Sequence, residues 1–176
     1  MIRQVLKTTE PRLRDKSKPV KKIDKKIKLL VRDLKNTLSA QSNPEGIGLA
    51  APQIGKNLKV FIIKPAKDIK TIINPKIVEI SAKKFSKKKK KEKIMEGCLS
   101  LPHFYGPLKR PPKIKIEYLD EDGNKKIDTF EGLEAQIIQH EIDHLEGVLF
   151  IDRLLEQKEK LYEYVDGEWE EVDLII

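Results

Sequence analysis

Apolar residues recur at three- and four-residue spacing through Val20, Ile23, Ile27, Leu30, Val31, Leu34 and Leu38, with lysines in most of the gaps. That is the stripe of an amphipathic helix laid on a core, and Pro19 sits where such a helix starts. The pattern changes after Asn43 and Pro44. Gly46 to Gly55 is small and glycine-rich, a composition that lets a ligand or a neighbouring strand come close to the backbone. β-Branched runs at 58–63, 71–73 and 77–80, bounded by Pro65, Pro75 and polar turns, read as strands. Ile114, Ile116 and Tyr118 alternate with polar residues, Asp122-Gly123-Asn124 marks a turn, and 127–130 resumes the pattern, which predicts a hairpin. From Glu131 the period is helical again, with Leu133, Ile137, His140 and His144 on one stripe and Gly147 placed to end it. This order predicts an α+β class, a mainly antiparallel sheet packed around a central helix with an amphipathic helix before it.

The other segments carry less information. Residues 83–93 hold eight lysines and one glutamate, and so dense a run of like charge repels itself, as on a loop or hairpin tip decorating a sheet edge. A further helix is expected beyond Arg153, and the tail to Ile176 has no readable period. The length of 176 residues suits one domain with a sizeable core. No apolar run approaches the roughly 18 to 20 residues of a membrane span, and no cationic segment leading into an apolar one follows Met1. Both predict a cytoplasmic protein without a membrane partner.

The net charge of +8 is unevenly spread. Residues 1–95 carry 27 Lys or Arg against 8 Asp or Glu, and residues 96–176 carry 9 against 20. The basic half has the charge to attract a polyanion such as RNA by counterion release, although a lysine-rich solvated surface accounts for it as well. A non-catalytic RNA-binding module is therefore one reading, but it leaves a second cluster of residues without a purpose.

That cluster is His140-Glu141-Ile142-Asp143-His144. Two histidines four apart lie one helical turn above each other, so both imidazoles reach one metal ion while Glu141 flanks it as a carboxylate able to take a proton from water. A tetrahedral catalytic site also needs a third protein ligand. Cys98 is one candidate, and a downstream carboxylate such as Glu163, as in zinc endopeptidases, is another. Cys98 is the chain's single cysteine, which excludes an internal disulfide and suits a reducing compartment.

Three ordered stretches, Gly46-Ile47-Gly48-Leu49-Ala50-Ala51-Pro52-Gln53, Glu96-Gly97-Cys98-Leu99-Ser100 and Gln139-His140-Glu141-Ile142-Asp143-His144-Leu145, resemble the three motifs of bacterial peptide deformylases. The segments around Pro11 to Val20, Asn74-Pro75 and Leu149 to Arg153 resemble the same family. The likeness spans residues 1–155, read as the catalytic domain, and leaves 156–176 as a C-terminal extension of uncertain order.

The resemblance implies a hydrolase that removes the N-formyl group from the initiator methionine of new polypeptides and releases formate. It implies one divalent ion, Fe²⁺, with Zn²⁺ or Ni²⁺ able to substitute, held by Cys98, His140 and His144. Glu141 is then the general acid and base, and the Gln53 amide and the Leu99 backbone N–H form the oxyanion hole. By the same likeness Gly48 and Gly97 flank the peptide, Ile47, Ile94, Leu133 and Ile137 form the methionine pocket, and Tyr105 lies over the substrate. Asp143 is expected to pair with Arg110. His103 matches no motif position and reads as a surface loop residue. The partners implied are nascent formyl-Met polypeptides, with ribosome contact through the basic half and no DNA.

Overall fold

The computed structural model describes residues 1–81 and 95–173. The lysine run and Ile94 lie outside them. The first helix, α1, spans Lys25–Ser39 and buries Ile27, Val31, Leu34 and Leu38. It starts later than the expectation at Pro19, because Asp24 takes the cap: its carboxylate accepts from the N–H groups of Lys26 and Ile27 at 2.9 and 3.1 Å. Val20 remains outside the helix, its N–H donating to the Asn74 side chain at 2.8 Å.

Five strands, β1 (Gly48–Ala50), β2 (Val60–Ile63), β3 (Lys70–Ile80), β4 (Met95–Cys98) and β5 (Leu101–Pro107), lead to the hairpin β6 (Lys113–Leu119) and β7 (Lys125–Glu131). One antiparallel sheet has the order β1-β2-β3-β6-β7. The two short strands expected on either side of Pro75 are a single strand, β3, with a register shift against β6 between Ile73 and Lys76. The bulge lets a residue without an N–H sit in the sheet.

The second helix, α2 (Gly132–Leu145), packs on one face of this sheet and α1 on the other. All four β2 residues are buried as a result: Phe61 and Ile63 join Ile72, Ile114 and Ile138 under α2, while Val60 and Ile62 join Leu34, Leu38 and Ile73 under α1. A strand covered on both faces reads as a continuous apolar run.

A third helix, α3 (Phe150–Gln157), precedes β8 (Leu161–Val165) and β9 (Glu168–Val172). The tail that had no readable period is therefore a hairpin over 161–172, turned by Asp166 and Gly167 at φ 50° and 89°. It completes a second antiparallel sheet of order β4-β5-β8-β9, with Phe104 opposite Glu163 and Tyr105 opposite Tyr162. Phe150, Leu154, Leu108, Leu161 and Cys98 form the small core beneath it.

Candidate metal centre

His140 and His144 lie one turn apart on α2, their ring centroids 4.9 Å from each other. Cys98 ends β4, where a register shift between Gly97 and Cys98 breaks the ladder with β5; a bulge of this kind re-aims a side chain. The Cys98 Sγ lies 3.2 Å from His144 Nε2. One ligand atom from each of Cys98, His140 and His144 falls within 4.8 Å of the others, and all three residues are buried.

The surroundings fit a bound cation. His140 Nδ1 sits 2.7 Å from Glu96 Oε1, the carboxylate-to-histidine contact that fixes the ring of a metal-ligating imidazole with its other nitrogen turned to the ion. Among the described residues, His144 Nδ1 and Glu141 Oε2 are buried without a hydrogen-bond partner. Burial raises the Cys98 thiol, but charge on His144 and the hydrogen bonds of both histidines outweigh it and hold the group well below its ordinary range. A thiolate and two imidazoles suit iron, zinc or nickel and not magnesium or calcium.

Charge ties the two ligand-bearing elements together. Arg110 donates to both Glu96 oxygens, at 2.7 and 2.6 Å, and to Asp143 on α2 at 2.9 Å, with only 9% of its side chain exposed. Gln136 also donates to Glu96, at 3.1 Å, and Arg153 grips Asp143 at 2.7 and 3.1 Å. Burial would raise Glu96, yet Arg110 and then His140 hold it well below the usual carboxylate range. Among the described residues Glu141 Oε2 has no hydrogen-bond partner, and burial outweighs the opposing charge of His140 and His144 and pushes the carboxyl up to about 7.

Gln53 is aimed by its carbonyl oxygen, which accepts from the Ala50 N–H at 2.9 Å. Its amide nitrogen then points at Ser100 Oγ (3.1 Å) and Cys98 Sγ (3.5 Å). A cavity of about 170 Å³ opens beside it, between β1, β4 and α2, and Glu141, Gln53 and Leu99 line it. Ile47 and Leu133 form an exposed apolar rim at 42% and 45%, while Ile137 is buried.

The two glycines have distinct neighbours. A Cβ on Gly48 would come within 2.3 Å of Glu141 Oε1, so the missing side chain makes room for that carboxylate. One on Gly97 would meet the Tyr105 ring at 2.7 Å, so Tyr105 already occupies that side of β4.

His103, expected on a surface loop, lies within β5 at φ 70° and lines the cavity. Glu163 sits on β8 opposite Phe104 and is not among the clustered ligands. Glu96, Gln136 and Arg153 were not assigned roles from sequence. The signal for Glu96 was its place two residues before Cys98, a charged residue at an inward-facing position of a short strand.

The sequence profile of the polypeptide deformylase family matches residues 2–160. Peptide deformylase 2 of Clostridium acetobutylicum is 41% identical over 88% of this chain and 97% of its own, and the peptide deformylase of Dictyoglomus thermophilum is 39% identical over 93% and 99%. The crystal structure of the Thermotoga maritima peptide deformylase superposes with a TM-score of 0.76 at 34% identity, covering 87% of this chain and 97% of that one.

Proposed function

The chain belongs to the polypeptide deformylase family, and on that premise we propose how its cavity removes the N-formyl group from the initiator methionine of new polypeptides. The observation that carries the reading is the convergence of Cys98, His140 and His144 beside a buried, unpartnered Glu141 oxygen. Those three side chains hold one divalent ion, Fe²⁺ by family likeness, with Zn²⁺ or Ni²⁺ as substitutes. Bound there, the ion supplies Lewis acidity toward the formyl carbonyl and toward water.

Glu141 takes the proton of the attacking water and returns it to the leaving amine, which frees formate and a new amino terminus. Negative charge that gathers on the formyl oxygen meets the Gln53 amide and the Leu99 N–H. To serve, the Gln53 nitrogen exchanges its bond to Ser100 or Cys98 for one to that oxygen, while its grip on Ala50 keeps it oriented. The methionine side chain enters between Ile47, Leu133 and Ile137, and the peptide backbone lies along the free edges of β1 and β4. Arg110 and Asp143 brace α2 against β4.

The enzyme acts in the cytoplasm, where its substrates emerge from the ribosome, and its basic half contacts ribosomal RNA; no helix among the described residues is long and apolar enough to cross a membrane. The test is formate release by metal-replete protein from a formyl-Met peptide, with the unformylated peptide as control and metal content measured in parallel. Cys98→Ser is expected to lose both metal and turnover. A metal-replete protein that releases no formate overturns the reading.

A further inference from the structure

The hairpin β8–β9 keeps two large aromatic side chains half in water, Trp169 at 50% and Tyr164 at 43% exposure. The strand register explains where they point. Tyr105 pairs with Tyr162, and Tyr164 pairs with Trp169. Directly opposed residues share a face and the side-chain period is two, so these four aromatics project from one face of the four-stranded sheet. The other face is the one that needs apolar cover, and Phe104 and Leu161 supply it over Phe150 and Leu154. The small core therefore gives no reason for Trp169.

The aromatic face is continuous with the cavity. Tyr105 lines the cavity and spreads over the bare side of Gly97. Trp169 meets Tyr105 edge-on, with centroids 5.3 Å apart and planes at 83°, and Tyr164 stands 4.8 Å from Trp169. Of the carboxylates on these two strands, Glu171 opposes Tyr162 and shares this face, where it pairs with Lys160, while Glu163, opposite Phe104, and Glu168 and Glu170, on either side of Trp169 in sequence, project from the other face. An exposed aromatic ring favours a cation through its quadrupole.

We propose that this face is a downstream subsite of the substrate groove, in which Trp169, braced on Tyr105, receives a lysine or arginine side chain of the nascent polypeptide beyond the residues held in the cavity. Trp169 is then a specificity-determining residue for long substrates and has no part in short ones. The proposal rests on the deformylase reading of the cavity.

Holoenzyme is assayed for formate release from formyl-Met-Ala and from three formyl-Met pentapeptides ending in Lys-Arg, Ala-Ala or Glu-Glu. Wild type is expected to rank the pentapeptides basic above neutral above acidic. Trp169→Ala is expected to lower kcat/KM for the basic pentapeptide by about 3- to 30-fold, to leave formyl-Met-Ala unchanged, and to be largely rescued by Trp169→Phe. Trp169 is the chain's one tryptophan, so its fluorescence in the unmutated holoenzyme reports the same event. Titration with the unformylated basic pentapeptide is expected to change the emission, and Met-Ala is not.

The subsite is overturned by unchanged emission at saturating pentapeptide, or by equal kcat/KM in wild type and Trp169→Ala across the three pentapeptides. A loss of equal size on all three overturns the preference for a basic side chain. Failure to turn over formyl-Met-Ala overturns the deformylase reading instead, and the fluorescence titration still decides the subsite.

Discussion

The two sheets on either side of the cavity hold α2 by different physics. The five-stranded sheet grips it through apolar side chains: Phe61, Ile63, Ile72, Ile114 and Phe130 are at most 1% exposed and pack with Ile138 of the helix. The four-stranded sheet reaches the same helix through charge, from Glu96 by way of Arg110 to Asp143 and directly to His140. Apolar packing has no preferred direction and is insensitive to small rotations, whereas a bidentate guanidinium sets angles as well as distance. Dispersion and burial thus keep α2 on the protein, and the ionic chain sets how its histidines face Cys98. Substitutions in the first region are expected to cost stability alone, and those in the second to reach the metal.

The largest effect expected lies at the seam. Glu141→Gln keeps the shape of a side chain that has an unpartnered buried oxygen and removes its proton chemistry. Turnover is expected to fall about 10²- to 10⁴-fold with metal content and melting temperature unchanged. Near-normal formate release would remove Glu141 from the mechanism and leave α2 as a scaffold only.

The comparison itself is tested by two variants of similar cost. Phe61→Ala empties part of the apolar core and is expected to destabilise by about 3 to 5 kcal/mol, while the folded fraction binds metal normally. Arg110→Ala leaves Glu96 and Asp143 buried without their shared partner, also a loss of about 3 to 5 kcal/mol, and metal affinity is expected to fall about 10- to 100-fold with it. Urea unfolding and metal titration on the same preparations separate the two. Equal metal affinity in both variants would end the distinction between the regions.

Gly48 is where the apolar sheet touches the chemistry. Gly48→Ala puts a methyl group where Glu141 Oε1 lies, 2.3 Å from the ideal Cβ position, so the carboxylate has to shift. A misplacement on the order of 1 Å costs about 10²-fold in turnover, and that loss is expected with little change in urea midpoint. A stability loss without a kinetic one would assign Gly48 to packing.

The apolar region was the more legible of the two from sequence, for the same physical reason. Periodicity reports burial, so Val31, Leu34 and Leu38 on α1 and the alternation through Ile114 and Ile116 could be read directly. The two histidines were legible because both ligands lie on one helix at a fixed spacing. Cys98 and Gln53 come from distant segments, and their roles were readable only through resemblance. The ionic chain was mostly hidden: Arg153 and Asp143 lie on separate helices, and nothing in either local pattern names the other. Local competition explains the remaining differences. Asp24 outcompetes Pro19 as a helix start, and a bulge carries β3 past Pro75. The tail hairpin had a signal in Asp166-Gly167 flanked by alternating aromatics, the usual mark of a two-residue turn.

The smallest effect expected probes the far edge of the apolar sheet, where one polar contact interrupts the pattern. Tyr118 on β6 is buried with the apolar cluster, and its hydroxyl donates to Asp128 of β7 at 2.7 Å. Asp128 is exposed and is solvated when the partner is removed, so Tyr118→Phe is expected to cost only about 0.5 to 1.5 kcal/mol near neutral pH and to leave turnover and metal affinity untouched. Its pH dependence is more diagnostic. Burial first, and then the bond to the Asp128 carboxylate, raise the phenol above its ordinary value of about 10. The unfolded chain therefore releases this proton before the folded one does. The stability Tyr118 contributes is complete below about pH 10 and declines as pH rises toward the folded value, by up to about 1.4 kcal/mol per unit. Urea unfolding at pH 8, 10 and 11 is expected to show wild type losing its advantage over Tyr118→Phe as the solution becomes alkaline. A constant difference between the two across that range would mean that Tyr118 is held by packing alone, and the apolar region would then have no titrating element at this edge.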